Sequence, residues 1–461
     1  MPAEATIDTG NTAWLLVSTA LVLLMTPGLA LFYGGLNRNK GVLNMMMMSF
    51  SAIGLVSILW IAYGFTVSFG ADVNGFWGDL SQYLGTKTFI DELWLATDEN
   101  PSGIGIPTYV VLAFQMMFAI ITVALISGAI SDRAKFAGWL VFAFGWATLV
   151  YFPVAHMIWG GGYIATTIGA LDFAGGTAVH INGGAAALGL ALVLGRRVGW
   201  PRDKFKPHNV PMVALGAGLL WFGWFGFNAG SELTADSTTA IAFVNTQVAT
   251  AAGLLGWIVV EWIRDGRPTM VGASSGVVAG LVAITPACAF ITPWAAVLLG
   301  LAAGAVCALA VGLKYLLRID DSLDVFGVHF FGGWIGSLWI GLFGTSAVSS
   351  LVANEGLVYG GGLTQLGKQA LGSGIVTVYS FGVAVILGLL IEKTIGFRAK
   401  TDAELDGIDV AEHAESAYDY TTSTSGGGGG GAFALAGIST PAPPAAAPAK
   451  VEEPVAEKVA G

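Results

Sequence analysis

The sequence predicts an all-α, polytopic membrane protein of eleven transmembrane helices: two inverted five-helix repeats plus one extra C-terminal helix. Three observations carry this. The 461 residues are 55% hydrophobic and only 11% charged, where soluble chains carry roughly 25% charged residues. Apolar stretches of about 20 residues, the length that crosses a bilayer, recur from Trp14 to Ile391. A local pattern also occurs twice, VHINGG at 179–184 and VHFFGG at 328–333. Eight positions before each histidine stands an aspartate, Asp172 before His180 and Asp321 before His329. The chain has only five histidines, so two in one setting point to duplication.

The elements follow in order. Residues 1–10 contain no Lys or Arg, so they lack the positive start of a cleavable signal peptide, and the first apolar span is expected to be retained. The spans fall at about 11–33, 42–69, 107–130, 137–157, 176–194, 210–230, 239–262, 270–288, 294–316, 327–346 and 373–394. The basic loops NRNK, SDRAK, RRVGWPRDKFK and RDGR, with the segments Lys314–Arg318 and Lys393–Lys400, hold 16 of the 20 Lys and Arg. All lie on one side, which the positive-inside rule makes cytoplasmic. The opposite side holds Lys87, Lys368 and an acidic stretch around Asp72 to Asn100. The expected topology is N-terminus outside and C-terminus inside. His180 then sits in span 5 and His329 in span 10. Five spans is an odd number, so the halves must be inverted, an arrangement that places functional sites near mid-membrane.

The membrane domain is thus expected over 11–395. Residues 396–420 form a polar, acidic cytoplasmic segment. Residues 421–461, with TSTSGGGGGGAF and PAPPAAAPAK, cannot bury a core and are expected to be disordered. Cys288 and Cys307 lie in apolar spans without CxxC spacing and read as buried hydrophobes. No basic patch for nucleic acid is present.

Ionisable side chains at membrane depth are costly and mark a pathway or a cofactor. Two facing imidazoles can share a proton through their ring nitrogens and offer a donor and an acceptor in an apolar passage, which suits a small polar solute. The glycines three and four positions after each histidine are expected to leave space beside the ring. Phe118 in span 3 and Phe227 in span 6 fall near the outer ends of their spans, on opposite repeats, and Trp159 opens a WGGG run after span 4. Aromatic faces attract cations, so these residues form a candidate outer vestibule. Asp172 reads as a helix cap with an electrostatic side effect. His156 reads as structural, while His208 and His413 lie in a basic loop and the acidic tail. A membrane cytochrome with His180 and His329 as axial haem ligands is the competing reading.

Together these residues resemble the ammonium transporter family (Amt, Mep and Rh proteins), bacterial Amt in particular, over about residues 10–420. The resemblance rests on PGLALFYGGLNRNKGVLNMMM, WGGGYIATTIGALDFAGGTAVHINGG, GWFGFNAGS, AITPAC, DSLDVFGVH and AEHAESAY. It implies eleven helices around one pore per subunit in a homotrimer, and transport rather than enzymatic activity, with no cofactor. By position, His180 and His329 match the twin pore histidines, and Phe118 and Phe227 the stacked gate. Trp159, Phe118 and Ser231 match the external ammonium site, Asp172 its supporting acid, and Thr285 a pore-side position. The segment 396–420 matches one that couples subunits and meets PII-type (GlnK) regulators. Against bacterial relatives this chain has one extra residue between Trp159 and Asp172, and the long tail. An ammonium sensor, signalling through a partner, is the alternative within the same resemblance.

Overall fold

The computed structural model describes residues 5–85, 91–97, 100, 103–203 and 205–418. The tail expected over 421–461 lies outside the described residues. Among those described, ten helices are long and apolar enough to cross a membrane. Span 1 is Thr9–Leu36, span 2 Val42–Phe69, span 3 Thr108–Ile130, span 4 Phe136–Ile168 and span 5 Gly176–Leu194. Span 6 is Val210–Glu232, span 7 Ser237–Asp265, span 9 Pro293–Leu317, span 10 Phe326–Phe343 and span 11 Thr364–Thr394. In the place of span 8 stands a shorter apolar helix, Met270–Ile284. At 15 residues it falls short of the roughly 20 that cross a bilayer, and the sequence expectation of 270–288 was too long. Pro286 explains the stop, because it has no N–H to donate to the Val282 carbonyl four residues back.

Span 11 differs the other way, starting at Thr364 rather than near 373. Its first turns carry Gln365, Lys368 and Gln369, which hide the helix from a hydropathy count. Gln365 and Gln369, one turn apart, are buried. The Gln369 amide donates to the carbonyl of Leu171 and to Ser337, and its oxygen accepts the Leu171 N–H. Polar side chains therefore face protein and not lipid there.

Spans 5 and 10 share one construction. Each opens with a π-helical turn, Gly176–Ile181 and Phe326–Phe330, and continues as an α-helix, Asn182–Leu194 and Phe331–Phe343. The wide start of each packs on the body of the other, so the two run antiparallel, as inverted repeats require. The glycines make this crossing possible. A Cβ on Gly184 would lie 2.7 Å from the Phe330 nitrogen, and one on Gly333 would lie 2.8 Å from the Gly176 oxygen. Small residues let membrane helices approach closely. This corrects one expectation: Gly184 and Gly333 hold the partner span's backbone, Gly183 and Gly332 take the side chains of Leu125 and Val282, and no open space is left beside them.

The stretch after span 2 folds as a hairpin, β1 (Asp72–Val73) antiparallel to β2 (Trp77–Gly78), followed by a short helix Leu80–Tyr83. His156 pins it: its Nε2 lies 2.9 Å from Asp72 Oδ1 and its Nδ1 3.1 Å from the Ser68 carbonyl. Cys288 and Cys307 are buried free thiols.

On the side of the basic loops, the chain after span 11 forms helices Thr401–Asp406 and Ile408–His413. Span 2 starts at Val42 with no capping side chain of its own, and Asp409 takes that role. Its two oxygens accept the N–H groups of Leu43 (3.0 Å) and Asn44 (2.8 Å). Replacing Asp409 with Ala is expected to cost about 0.5–2 kcal/mol, as other lost caps do, and to free the segment from span 2. Limited proteolysis after Lys400 measures this. Cleavage of D409A at the wild-type rate would remove the cap assignment.

Candidate functional site

The two histidines meet. His180 and His329, 2% and 5% exposed, approach with their Nδ1 atoms 3.3 Å apart and ring planes tilted by 29°. A nitrogen-to-nitrogen hydrogen bond needs one donor and one acceptor, so the facing atoms hold one proton between them. Each ring then has the opposite role at Nε2. His180 Nε2 is buried without a hydrogen-bond partner and faces the adjoining cavity.

That cavity has a volume of about 20 Å³ and is bounded by His180, His329, Leu29, Ile121, Trp224 and Phe227, among other apolar side chains. Roughly 10–15 Å³ by this measure suffices for one water. The space therefore takes one molecule of water's size and excludes a porphyrin, and the haem reading ends on that geometry. Past the histidines, toward the basic loops, a second cavity of about 40 Å³ is bounded by His329, Tyr33, Val278, Ser275 and Asp324. The pair stands between two small chambers in line.

On the other side the passage is shut by rings. Phe118 and Phe227 stack with centroids 4.2 Å apart, both essentially unexposed. Trp159 meets Phe118 edge-on at 6.0 Å and an interplanar angle of 86°. Beyond Trp159 lies an open chamber of about 870 Å³ that it lines with Tyr83, Trp94, Asp91 and Glu92. Carboxylates and aromatic faces in one chamber attract cations from solvent. Ser231 sits one turn after Phe227 and donates its hydroxyl to the Phe227 carbonyl at 2.8 Å, leaving its oxygen lone pairs for an incoming donor.

Asp172 is built into the start of span 5. Its Oδ1 accepts the N–H groups of Gly175 and Gly176, and its Oδ2 those of Thr177 and Ala178, at 2.8–3.0 Å. These are four orphan donors of a helix start, reached because Gly175 takes φ +116°. The same residue's carbonyl accepts the Trp159 indole N–H at 2.9 Å. Burial pushes the Asp172 carboxyl above its ordinary range, against the four bonds that hold it down. Its oxygens are committed to the backbone, so it positions Trp159 and span 5 and does not ligate an ion. Asp321 repeats the device with two bonds, from Val325 and Phe326.

Thr285 does not line either of the two small cavities. It is fully buried, receives the Trp224 indole N–H at 2.8 Å and donates to the Leu281 carbonyl. It anchors Trp224, whose ring stacks on His180 at 5.4 Å. Sequence reasoning missed Trp224 as a wall of the passage. The available signal was its spacing, three residues before Phe227 and so on the same helical face.

Below the passage the loops are locked by buried charge. The Arg197 guanidinium pairs bidentately with Asp320 at 2.8 and 2.9 Å. Burial raises the Asp320 carboxyl, but the Arg197 bonds outweigh it and hold it below its usual range. A lowered carboxyl contributes stability above the unfolded value near pH ~4 and loses it as pH falls through the folded value. Glu404 of the C-terminal segment bonds Val198 N and Arg398. His208 bridges the Asn37 carbonyl and the Tyr418 hydroxyl.

Comparison with known proteins agrees with this layout. Residues 13–418 match the model of the Ammonium Transporter Family. The chain is 53% identical to the ammonium transporter of Mycobacterium tuberculosis, covering 92% of this chain and 93% of that one. It is 45% identical to that of Bacillus subtilis, over 89% of this chain and 98% of the other. Among solved structures it is similar to the crystal structure of Saccharomyces cerevisiae Mep2, with a TM-score of 0.78 and 36% identity over 86% of this chain and 91% of that one. It is also similar to a structure described as a sensor Amt protein, at 27% identity and a TM-score of 0.78, over 88% of this chain and 98% of that chain. The chain belongs to the ammonium transporter family, as a multi-pass membrane protein that moves ammonium and not an enzyme.

Proposed function

We propose that ammonium is taken up from the side of the open chamber, loses its proton before the Phe118–Phe227 pair, and passes His180 and His329 as ammonia. The observation that carries this reading is the proton-sharing histidine pair beside a carbon-lined space for one water-sized molecule. Trp159, Phe118 and Ser231 hold the cation by π faces and a hydroxyl acceptor. An ion stripped of water pays a large desolvation cost in a passage lined by carbon, whereas a neutral amine needs only a donor and an acceptor. The shared proton supplies both. Potassium cannot become neutral by losing a proton, so the same passage rejects it. The proton released outside has its own route or stays behind, and a current on an ammonium pulse distinguishes the two.

The positive-inside rule applied to the basic loops supports a C-terminal segment on the cytoplasmic side of a cell membrane, with the N-terminus outside. In this reading the chain works as a homotrimer, and residues 396–420 couple subunits and receive a PII-type (GlnK) regulator. The bonds from Asp409 to the start of span 2, and from Glu404 and Tyr418 to the connection between spans 5 and 6, support a segment that reports on the inner face.

The test is reconstitution in liposomes with an ammonium pulse. An ammonium-dependent signal with none for potassium is expected. Trp159→Leu keeps an apolar side chain but loses the π face, about 1–2 kcal/mol of cation binding. It should raise the half-saturating ammonium concentration roughly five- to thirtyfold. An unchanged half-saturation would remove Trp159 from the recruitment site.

A further inference from the structure

The flank beneath the β1–β2 hairpin carries a cleft of about 440 Å³ between spans 2, 4 and 11, walled by Val67, Leu149, Met157, Ile375 and Tyr379. Its origin is local. Span 4 widens into a π-helical turn at Ala147–Tyr151 and then meets Pro153. Proline has no N–H to offer the carbonyl four residues back, which is that of Leu149. The Tyr379 hydroxyl donates to that carbonyl from span 11. Bridging by a whole tyrosine side chain keeps the two helices apart and leaves the cleft.

The roof is apolar as well. Phe76, Trp77 and Leu80 are each about half exposed, on a segment that follows a membrane span. This roof is held in place and does not flap. Asp72 bonds His156, Tyr163 N–H donates to the Gly75 carbonyl at 2.8 Å, and the Phe76 ring stacks on Tyr163 at 6.1 Å and 11°. Aromatic side chains at this level mark the boundary between headgroups and acyl chains.

We propose that the cleft holds one acyl chain of a phospholipid from the leaflet on the hairpin side, its headgroup beside Trp77. The cleft opens on the lipid-facing belt of the same spans, where Ile61, Phe144, Leu371 and Val378 are exposed. Hydrocarbon is therefore what meets its mouth. Water has little to bond there. Thr148, on the cleft wall, already donates to the Phe144 carbonyl and contacts the Tyr63 hydroxyl, and a buried water needs two to four polar partners. An acyl chain makes no polar demand and gains dispersion contacts on several sides where the open belt gives one. It packs on Met157, two residues before Trp159, and so supports the vestibule from behind.

The test uses the full chain in phosphatidylglycerol vesicles containing a phospholipid with a diazirine midway along one acyl chain. Irradiation, digestion and mass spectrometry then locate the adducts. Adducts concentrated on 148–157 and 375–379, above those on the exposed belt positions Phe144 and Leu371, are expected. Ile375→Trp fills the cleft and should lower the adducts on 148–157 about threefold or more, since only one-sided packing remains. Val378→Trp, on the open face of the same helix, should leave them unchanged. Met157→Phe fills the cleft from the opposite wall and serves should the first variant misfold. Uniform labelling of the belt, or no fall in either filled variant, overturns the proposal. So do chain-to-chain cross-links at these positions, which would make a second copy the occupant.

Discussion

A His180→Ala, His329→Ala double variant is expected to lose potassium-excluding ammonium flux by about ten- to a hundredfold. The reason lies in what surrounds the pair. The chamber beside the histidines is walled by Leu29, Ile121, Val179 and other apolar side chains. An ammonia molecule in it has no hydrogen-bond partner other than the imidazoles. Leaving a polar group unpaired in such surroundings costs about 1–3 kcal/mol, and each 1.4 kcal/mol is tenfold. Removing both rings also enlarges the chamber, so water enters and the barrier to a hydrated ion falls. Single variants should lose less, because the remaining ring still offers a donor and an acceptor. Liposome flux with and without competing potassium separates lost rate from lost selectivity. Wild-type rate together with wild-type selectivity in the double variant would falsify the pathway assignment.

Asp172→Ala is expected to lower stability by at least about 3 kcal/mol. A single lost helix cap costs about 0.5–2 kcal/mol. Here one side chain satisfies four backbone N–H groups, in a place where each unpaired donor carries its own desolvation cost. Set against a total of about 5–15 kcal/mol, that is a large fraction, and span 5 carries His180 and packs against His329's span. Asp172→Asn keeps one acceptor oxygen for two of the donors and turns an amide NH2 toward the others, so it should fall between. The melting midpoint in detergent, followed by size-exclusion chromatography, reports this directly. An Ala variant melting with the wild type would show that the start of span 5 needs no cap. A protein that melts earlier yet transports with unchanged ammonium half-saturation would separate the cap from the Trp159 anchor.

The sequence made much of this legible. The repeated His setting, with an Asp eight residues before each His, marked a duplicated element, and Asp172 was read as a helix cap, because residue type and spacing suffice for both. The apolar periodicity located the long helices to within a few residues in most cases. It failed where tertiary contacts override hydropathy. The start of span 11 was hidden because Gln365 and Gln369 find partners in Gln–backbone and Gln–Ser bonds, which no window average detects. The helix Met270–Ile284 was overextended because the apolar residues after Pro286 look like more span. The glycines after the histidines were recognised as important for the wrong reason, since closeness to the ring in sequence does not say which backbone fills the space. Thr285 was placed at the passage when it holds Trp224 from behind.

What the sequence determined alone was the membrane class, the helix order, the inverted duplication and the chemical types at the centre. These follow from composition, charge alternation and local spacing, all of which are properties of short windows. What only the tertiary structure decided was the chemistry of the pair: that His180 and His329, 149 residues apart, meet nitrogen to nitrogen beside a space for one small molecule. That outcome depends on two antiparallel helices crossing at glycines and on three aromatic rings stacked across spans 3, 5 and 6. Distances between remote segments are set by packing of the whole bundle, and no window of sequence contains them.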